Sequence, residues 1–289
     1  MSIDYVTEAV KRANKILGKD RIRFLADGAK SEVTEVVPTG ISVLDNYVIG
    51  IGGLPVGRLV ELSGAEGAGK TSVGYQLLAA CQAQGGVAAF VENENGVNKD
   101  RAELFGVKSD LLVFSEPSTL EEALEDHEAI LRSMPTDREQ PNLLVWDSLA
   151  SVPTEREFKD GLVGDAAVAE RARVLSTACR SLPGLMIGAR TAVVWINQLR
   201  DKPGVMFGEK ETTPGGRGVK FLASVRLSLL GGKALKEGDE HISKDLTIMA
   251  MKNKVGSPFH KARIRLSYAK GWDDDWSVFQ FATLAGLIG

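Results

Sequence analysis

A glycine-rich octapeptide that ends in lysine and threonine carries the clearest chemistry in this 289-residue chain. Residues 64–71 (GAEGAGKT) fit the pattern G-x-x-x-x-G-K-[ST] and follow an apolar, strand-like run at 59–62. The glycines let consecutive backbone N–H groups point at one anion, Lys70 reaches the β- and γ-phosphates, and Thr71 ligates Mg²⁺. The pattern predicts an ATP or GTP site formed by Glu66, Gly67, Ala68, Gly69, Lys70, Thr71 and Ser72.

Two further apolar strands end in acidic residues. The strand 143–147 ends in Asp147 and is followed by Ser148. This is a Walker B pattern, in which the carboxylate holds Mg²⁺ directly or through water. Such strands also precede ordinary helix caps, but downstream of a phosphate loop the metal reading is favoured. The strand 87–91 runs into residues 92–95 (ENEN), where one carboxylate is a candidate base for the attacking water and solvated loop acids are the alternative.

A third strand, 192–196, is followed by Asn197 and Gln198. An amide at this edge of the sheet can sense a γ-phosphate by hydrogen bonding. Residues 199–210 then form a long loop with basic and aromatic residues. Its composition is compatible with single-stranded DNA binding, but composition alone favours a plain surface connection.

The elements that position these residues alternate as strand and helix from residue 58 to residue 196, which predicts an α/β fold with a mostly parallel sheet covered by helices on both faces. Strand-rich segments near 219–230, 245–252 and 261–268 predict an antiparallel extension, and a helix is expected at 166–182. Residues 4–17 have the spacing of an amphipathic helix. We therefore expect an N-terminal helix-strand arm at 1–35 and a core at 36–289.

Composition narrows the class of protein. A net charge of −3 argues against a protein that coats nucleic acid by bulk charge, yet residues 252–270 are basic and contain no carboxylate. The acidic stretch 116–139 reads best as a solvated helix face. Two cysteines and three histidines give little support to disulfides or zinc. The absence of a signal peptide and of a long apolar run predicts a cytoplasmic protein without membrane contact.

The chain resembles the bacterial RecA-type recombinases from its N-terminal arm to about residue 270. The most specific matches are the segments 53–58 (GLPVGR), 196–200 (INQLR), 204–208 (GVMFG), 211–216 (ETTPGG), 220–226 (KFLASVR) and 252–254 (KNK). The resemblance implies a RecA-like core that uses ATP and Mg²⁺, assembles as a helical filament on single-stranded DNA, and exchanges strands with homologous duplex DNA. It also implies that the arm is a polymerisation element.

By the same resemblance Glu94 is the base that activates water, and Gln198 is the switch that couples ATP to DNA. DNA-binding loops are implied near 158–165 and 200–213, with DNA contacts from Arg173, Arg200, Phe207, Gly215 and Gly216. Lys252 and Lys254 are implied to reach a neighbour's ATP, and the same boundary between subunits is implied to contain Lys220, Phe221 and Arg226.

Two departures from the family stand out. Arg101 occupies the position of a tyrosine that stacks on adenine, and a guanidinium can also stack on a flat ring. The sequence ends at Gly289, about where the family continues into a C-terminal domain, so we expect a minimal recombinase. The alternative function is a RecA-fold ATPase that acts as a recombination mediator or regulator with little strand exchange; a ring helicase is not expected to carry the 204–208 segment.

Overall fold

The computed structural model describes residues 3–27, 32–94, 96–161, 163–201, 211–212 and 216–288. The chain divides into two compact units, Met1–Thr34 and Glu35–Gly289. Within the described residues, no helix has the length and apolar character needed to cross a bilayer. Phe207 and Gly215, and most of the segment 200–213, lie outside the described residues.

The described part of the first unit contains one long helix, α1 (Ile3–Leu17). After Gly18 the chain turns back, and the amide of Asn14 holds the turn: its Oδ1 accepts from the backbone N–H groups of Arg21 and Ile22 at 3.0 and 2.7 Å. Tyr5 and Ile16 on this helix are 78% and 85% exposed. The predicted helix 4–17 is therefore present, and it carries apolar side chains into solvent.

The second unit is built on one large sheet in the order β14-β13-β12-β10-β3-β7-β6-β4-β5, with β11 paired to β12. Its strands are β3 (Leu59–Gly64), β4 (Ala88–Glu92), β5 (Leu112–Ser115), β6 (Asn142–Asp147), β7 (Thr191–Gln198), β10 (Val225–Leu230), β11 (Ala234–Glu237), β12 (Glu240–Asn253), β13 (Lys261–Ser267) and β14 (Gly271–Asp273). Two small ladders lie outside it, β1 (Val36–Val37) with β2 (Leu54–Pro55), and β8 (Arg200–Asp201) with β9 (Glu211–Thr212).

The strands from β10 to β5 are parallel, whereas β10, β12, β13 and β14 pair antiparallel. The predicted fold class, a mostly parallel sheet with an antiparallel extension, is confirmed. Strands β3, β4 and β6 are buried along their whole length because helices cover both faces.

The helices of this unit are α2 (Lys70–Ala83), α3 (Lys99–Leu104), α4 (Leu120–Ser133), α5 (Glu155–Asp160), α6 (Asp165–Gly188), α7 (Gly216–Leu222) and α8 (Asp274–Leu284). Helix α2 packs on one face of the sheet with a short helical turn at Leu44–Ile49, while α4, α6 and α7 contribute to the core on the other face. Consecutive residues of β6 alternate between these cores, so Val145 joins the first and Trp146 the second.

Three local expectations were wrong. Residues 216–222 form helix α7, so the strand-rich segment expected from 219 begins only at Val225. Helix α6 continues past Pro183 to Gly188, because Leu182 and Met186 are buried and tertiary packing outweighs the loss of one backbone hydrogen bond. The segment 158–165 is not wholly a loop, since residues 158–160 belong to α5 and Asp165 starts α6.

Candidate nucleotide-binding site

The phosphate loop connects the end of β3 to the start of α2. Gly64 is required because a Cβ there would lie 2.7 Å from the carbonyl oxygen of Leu229 on β10. Gly69 is the N-cap of α2 in a left-handed conformation (φ 92°), and no side chain of the described residues caps this helix. The backbone N–H groups of the first turn are therefore available to an anion, and the helix dipole adds positive charge there.

Lys70 lies inside this loop with only 8% of its surface exposed. Its Nζ donates to the carbonyl oxygen of Ala65 at 2.8 Å. Burial lowers the pKa of Lys70, and the nearby carboxylates of Asp147, Glu94 and Glu66 oppose that shift. A buried ammonium group among carboxylates is suited to binding a polyanion, because phosphate oxygens can replace the single carbonyl that it now contacts.

Thr71 and Asp147 meet at the base of the loop. The Thr71 hydroxyl donates to Asp147 Oδ2 at 2.6 Å, and Asp147 is 97% buried at the end of β6. Burial raises the pKa of Asp147 to about 7, although the Thr71 hydrogen bond and Lys70 lower it. A hydroxyl and a carboxylate are the hard oxygen donors that Mg²⁺ prefers, so these two residues fit a magnesium ion that also contacts bound phosphates.

Glu94 and Gln198 come together above this pair. The Gln198 amide donates to Glu94 Oε1 at 3.0 Å, and the Ser148 hydroxyl donates to the same oxygen. Glu94 and Ser148 follow strands β4 and β6, and Gln198 is the last residue of β7; these strands are separate in sequence but end at one edge of the sheet. The structure thus brings together the predicted base, the predicted sensor and the Walker B serine.

Glu92, the competing acid, has a different environment. It is 96% buried, and its Oε1 accepts the backbone N–H groups of Glu94 at 2.9 Å and Gly96 at 3.1 Å. Burial raises the pKa of Glu92, which the two N–H donors oppose. Its carboxylate therefore orders the loop that presents Glu94.

Arg101 lies beside the first turn of α2. Its Nη2 contacts Ser72 Oγ at 3.3 Å, and the Trp272 indole donates to the Ser72 carbonyl oxygen at 3.0 Å. Sequence reasoning missed Trp272. It also missed Lys244, whose Nζ donates to the Gly67 carbonyl oxygen at 3.0 Å from the antiparallel strand β12.

Lys252 and Lys254 lie far from this loop. Lys252 pairs with Arg226 on β10, which pairs with Glu61 on β3, three residues or about 10 Å before Gly64. Lys252 Nζ donates to the carbonyl oxygens of Lys220 and Ala223 at 2.6 Å each and so caps helix α7. Burial, followed by the charges of Lys254 and Arg226, lowers the pKa of Lys252.

Of the predicted DNA-contacting residues, the described part of the chain includes Arg173, Arg200 and Gly216. Arg173 is exposed on α6 and pairs with Glu170, with Nη2 and Oε1 at 2.7 Å. Gly216 begins α7 against α6, where an added Cβ would lie 3.5 Å from the Ala172 side chain. Arg200 lies in β8, whose pairing with β9 joins the two ends of the segment that contains Phe207.

Comparison with known proteins identifies the family. The model of the RecA N-terminal domain matches residues 4–273. The chain belongs to the RecA family. It is 40% identical over 281 residues to Protein RecA of Heliobacterium modesticaldum, covering 97% of this chain and 79% of the relative. It is 39% identical over 275 residues to Protein RecA of Symbiobacterium thermophilum, covering 95% and 77% of the two chains.

The RecA assignment confirms the family expected from the segments around the phosphate loop and residues 196–226. The matched region includes every residue of the candidate nucleotide site, from Glu66 to Lys254. The individual roles of these residues remain predictions.

Proposed function

We propose that this RecA-family chain is an ATP-dependent DNA recombinase. It assembles as a helical filament on single-stranded DNA, pairs that strand with homologous duplex DNA, and hydrolyses ATP at the boundaries between subunits. The observation that carries the proposal is the hydrogen bond from Gln198 to Glu94, because it joins the expected hydrolytic base to the residue that leads into the expected DNA-binding segment.

Different residues of the nucleotide site would bind the phosphates, hold the metal ion and accept the proton. The loop amides and Lys70 bind the phosphates, and Thr71 and Asp147 would hold Mg²⁺, which supplies charge neutralisation when bound. Ser148 and Gln198 both donate to Glu94 Oε1, which fixes the carboxylate and leaves Oε2 to accept a proton from the attacking water.

Gln198 can act as a switch because its side chain, which now donates to Glu94, can rotate to bring its amide group to a γ-phosphate oxygen. When a γ-phosphate oxygen is present, the amide can donate to it and release Glu94. The backbone of Gln198 then moves with its side chain, and β8 begins only two residues later. This competition makes the DNA-binding segment sensitive to the nucleotide.

Electron microscopy with single-stranded DNA and a non-hydrolysable ATP analogue tests the proposal, together with a strand-exchange assay. Continuous nucleoprotein helices and exchanged product are expected. The matched variant is Lys70→Ala. It should fold but form neither nucleoprotein helices nor exchanged product, because the bound phosphates lose their principal cation. Helices without exchanged product would favour the mediator, and discrete rings or monomers would contradict filament assembly.

A further inference from the structure

Asn93 lies between the two acids of the segment 92–95, and its side chain contacts β6 and the turn after it. Its Oδ1 accepts from the indole Nε1 of Trp146 at 2.6 Å. Its Nδ2 donates to the carbonyl oxygen of Ser148 at 3.1 Å and to the hydroxyl oxygen of Ser151 at 2.9 Å. One amide group therefore joins the loop after β4 to a core tryptophan on one side and to the turn after β6 on the other.

Trp146 fixes one end of this network. Its side chain is fully buried on β6 and packs edge-to-face against Trp195 and His127, with ring centroids 5.2 and 4.8 Å away. An indole N–H can only donate, so the oxygen of the Asn93 amide must face it and the nitrogen must point along the turn. The Trp195 indole N–H, in the same cluster, is buried without a hydrogen-bond partner in the described chain. The cluster therefore accommodates an indole that has no polar partner, and the bond from Trp146 to Asn93 is an added constraint on the loop.

The hydrogen bonds of this network point from the indole towards the carboxylate of Glu94. Ser151 Oγ donates to the Ser148 carbonyl oxygen at 3.0 Å, so this carbonyl group accepts from both Asn93 and Ser151. The Asn93 backbone N–H also donates to the carbonyl oxygen of Asp147, at 3.0 Å, which holds the peptide before Ser148. The Ser148 hydroxyl then donates to Glu94 Oε1. Because an ionised carboxylate only accepts, Glu94 is the natural end of a network that begins at a group that only donates.

These contacts are better suited to orienting Glu94 than to stabilising the fold. The net stabilisation from a neutral hydrogen bond is small, because the same groups bond to water in the unfolded chain. A phenylalanine at position 146 would fill the core without a buried polar atom. A satisfied polar network, however, holds its members in one arrangement. Glu94 is exposed, so hydrogen bonds rather than packing must set the direction of its carboxylate.

We propose that Asn93, anchored by the Trp146 indole, is a positioning residue for ATP hydrolysis. It fixes the backbone of Ser148, whose hydroxyl in turn orients Glu94 towards the attacking water. This role rests on the proposed function in one respect, that Glu94 is the base, and it does not require strand exchange by the protein.

Steady-state ATP turnover by the full chain on single-stranded DNA tests this role in Asn93→Leu, which keeps the approximate size of the side chain and removes its hydrogen bonds. Its kcat should fall about tenfold or more, up to the loss of about 10²-fold expected for Glu94→Gln. Affinity for the non-hydrolysable ATP analogue should change by less than about twofold, because Lys70 and Thr71 keep their contacts. Binding of the analogue also counts the folded sites, so kcat is expressed per site.

The same substitution in the Glu94→Gln chain separates positioning from a general loss of structure. If Asn93 acts through Glu94, Asn93→Leu should cost less than about twofold in kcat once the carboxylate is absent. A purely structural effect would lower kcat by the same factor in both backgrounds.

A second pair of variants tests the anchor. Trp146→Phe removes the N–H that holds Asn93 and keeps an aromatic ring, and Trp195→Phe is the matched control, since it removes an indole N–H without a described partner from the same cluster. We expect kcat to fall about threefold or more in Trp146→Phe and to stay within about twofold of the wild type in Trp195→Phe.

Three results would overturn the positioning role: wild-type kcat in Asn93→Leu, the same factor of loss with and without the Glu94 carboxylate, or equal losses in Trp146→Phe and Trp195→Phe. Wild-type turnover in Glu94→Gln would remove both the base and the residue that positions it. If strand exchange is absent but the expected pattern of kcat values is observed, the recombinase proposal fails and the role of Asn93 stands.

Discussion

Glu92, the last residue of β4, and Glu94, two residues later, differ in what their carboxylate oxygens contact: backbone N–H groups for Glu92, and the side chains of Ser148 and Gln198 for Glu94. Glu94→Gln should reduce ATP turnover by about 10²-fold or more, because the amide cannot accept the proton of water. DNA binding that depends on nucleotide should persist. Steady-state hydrolysis measures the turnover, and DNA binding in the presence of the ATP analogue measures the function that should persist.

Glu92→Gln is the matched control for that measurement. A glutamine at this position keeps an oxygen that accepts the N–H groups of Glu94 and Gly96, so turnover should fall only slightly. The assignment of the base is wrong if Glu92→Gln abolishes turnover and Glu94→Gln does not.

His127 is a buried histidine that should make the stability of the protein depend on pH. It is fully buried between Trp146 and Trp195, and burial lowers its pKa to about 4, with a partly opposing hydrogen bond to the Ala123 carbonyl oxygen. The unfolded chain therefore binds one more proton than the folded chain between about pH 6.5 and pH 4. The stabilising contribution of neutral His127 is complete above pH 6.5 and is lost as the pH falls to about 4, by about 3 kcal/mol at most.

Chemical denaturation at a series of pH values measures this loss. His127→Phe removes the titrating group and keeps a flat ring, so the variant should lose less stability than the wild type between pH 6.5 and pH 4. Parallel stability curves for the two proteins would show that His127 does not carry this proton.

The buried carboxylate of Glu61 connects three neighbouring strands of the sheet. Glu61 on β3 accepts from Asn197 on β7 at 3.0 Å and from Arg226 on β10 at 2.5 Å. Asn197 precedes Gln198, the proposed switch residue, and Arg226 is among the residues expected at the boundary between subunits. We infer that Glu61 holds the sensor strand and the boundary strand in one arrangement.

Glu61→Gln should therefore destabilise the protein, because Arg226, which is 22% accessible, loses its charged partner at a carboxylate that is only 1% accessible. A matched variant is Glu35→Gln, which breaks a similar pair with Arg190 at a more exposed site, where the carboxylate is 36% accessible. Surface pairs contribute about 0–1 kcal/mol, whereas breaking a buried pair costs about 3–5 kcal/mol. Urea unfolding should rank the Glu61 variant as the less stable, and an equal or reversed ranking would contradict a structural role for this carboxylate.

The phosphate loop and the contacts of Glu61 differ in how much of each can be predicted from the sequence. The phosphate loop and the acid at the end of β6 are local patterns, since strand, turn and helix follow one another within a few residues. The partners of Glu61 lie 136 and 165 positions away along the chain, and no local periodicity encodes them. The same reason hides Lys244, which reaches the loop only because β12 returns beside β10.

Helix α7 was missed for a related reason. Its seven residues are too few to display a helical period, and its C-terminal carbonyl groups are capped by Lys252, which is distant in sequence. The overall fold could be predicted because its strands are long, apolar and regularly spaced. Short elements that depend on tertiary contacts could not.

For the whole molecule, the sheet separates two sets of functional residues. The phosphate loop is at the end of β3, whereas Lys254 donates its N–H to Ser224 and Ser224 donates to Leu59, the first residue of that strand. Five residues of β3 place these positions about 17 Å apart. Lys254 is therefore suited to a neighbour's nucleotide in a head-to-tail assembly, in which unlike surfaces meet.

Mixing two inactive variants tests that arrangement. Glu94→Gln removes the proposed base, and Lys254→Ala removes the cation that we expect to act across the boundary. In an equal mixture, roughly one quarter of head-to-tail boundaries would combine an intact Glu94 with an intact Lys254, so turnover should recover to about that fraction. If turnover does not recover in the mixture although both variants assemble on DNA, one subunit supplies both residues to its own site and the arrangement across the boundary is wrong.

Binding of ATP and binding of DNA should be coupled across this molecule. The ATP analogue should tighten binding of single-stranded DNA, and linkage requires DNA to tighten binding of the analogue by the same factor. Gln198→Ala should weaken this coupling and leave each ligand bound, because it removes the amide shared by Glu94 and the γ-phosphate.

Phe207→Ala should instead weaken DNA binding with either nucleotide state, since an aromatic contact with a base is worth about 1–3 kcal/mol. DNA affinity at fixed salt, with and without the analogue, separates the two variants. If wild-type affinity is the same in both states, Gln198 is not a switch, and if Phe207→Ala binds like the wild type, the segment after β8 is an ordinary surface connection.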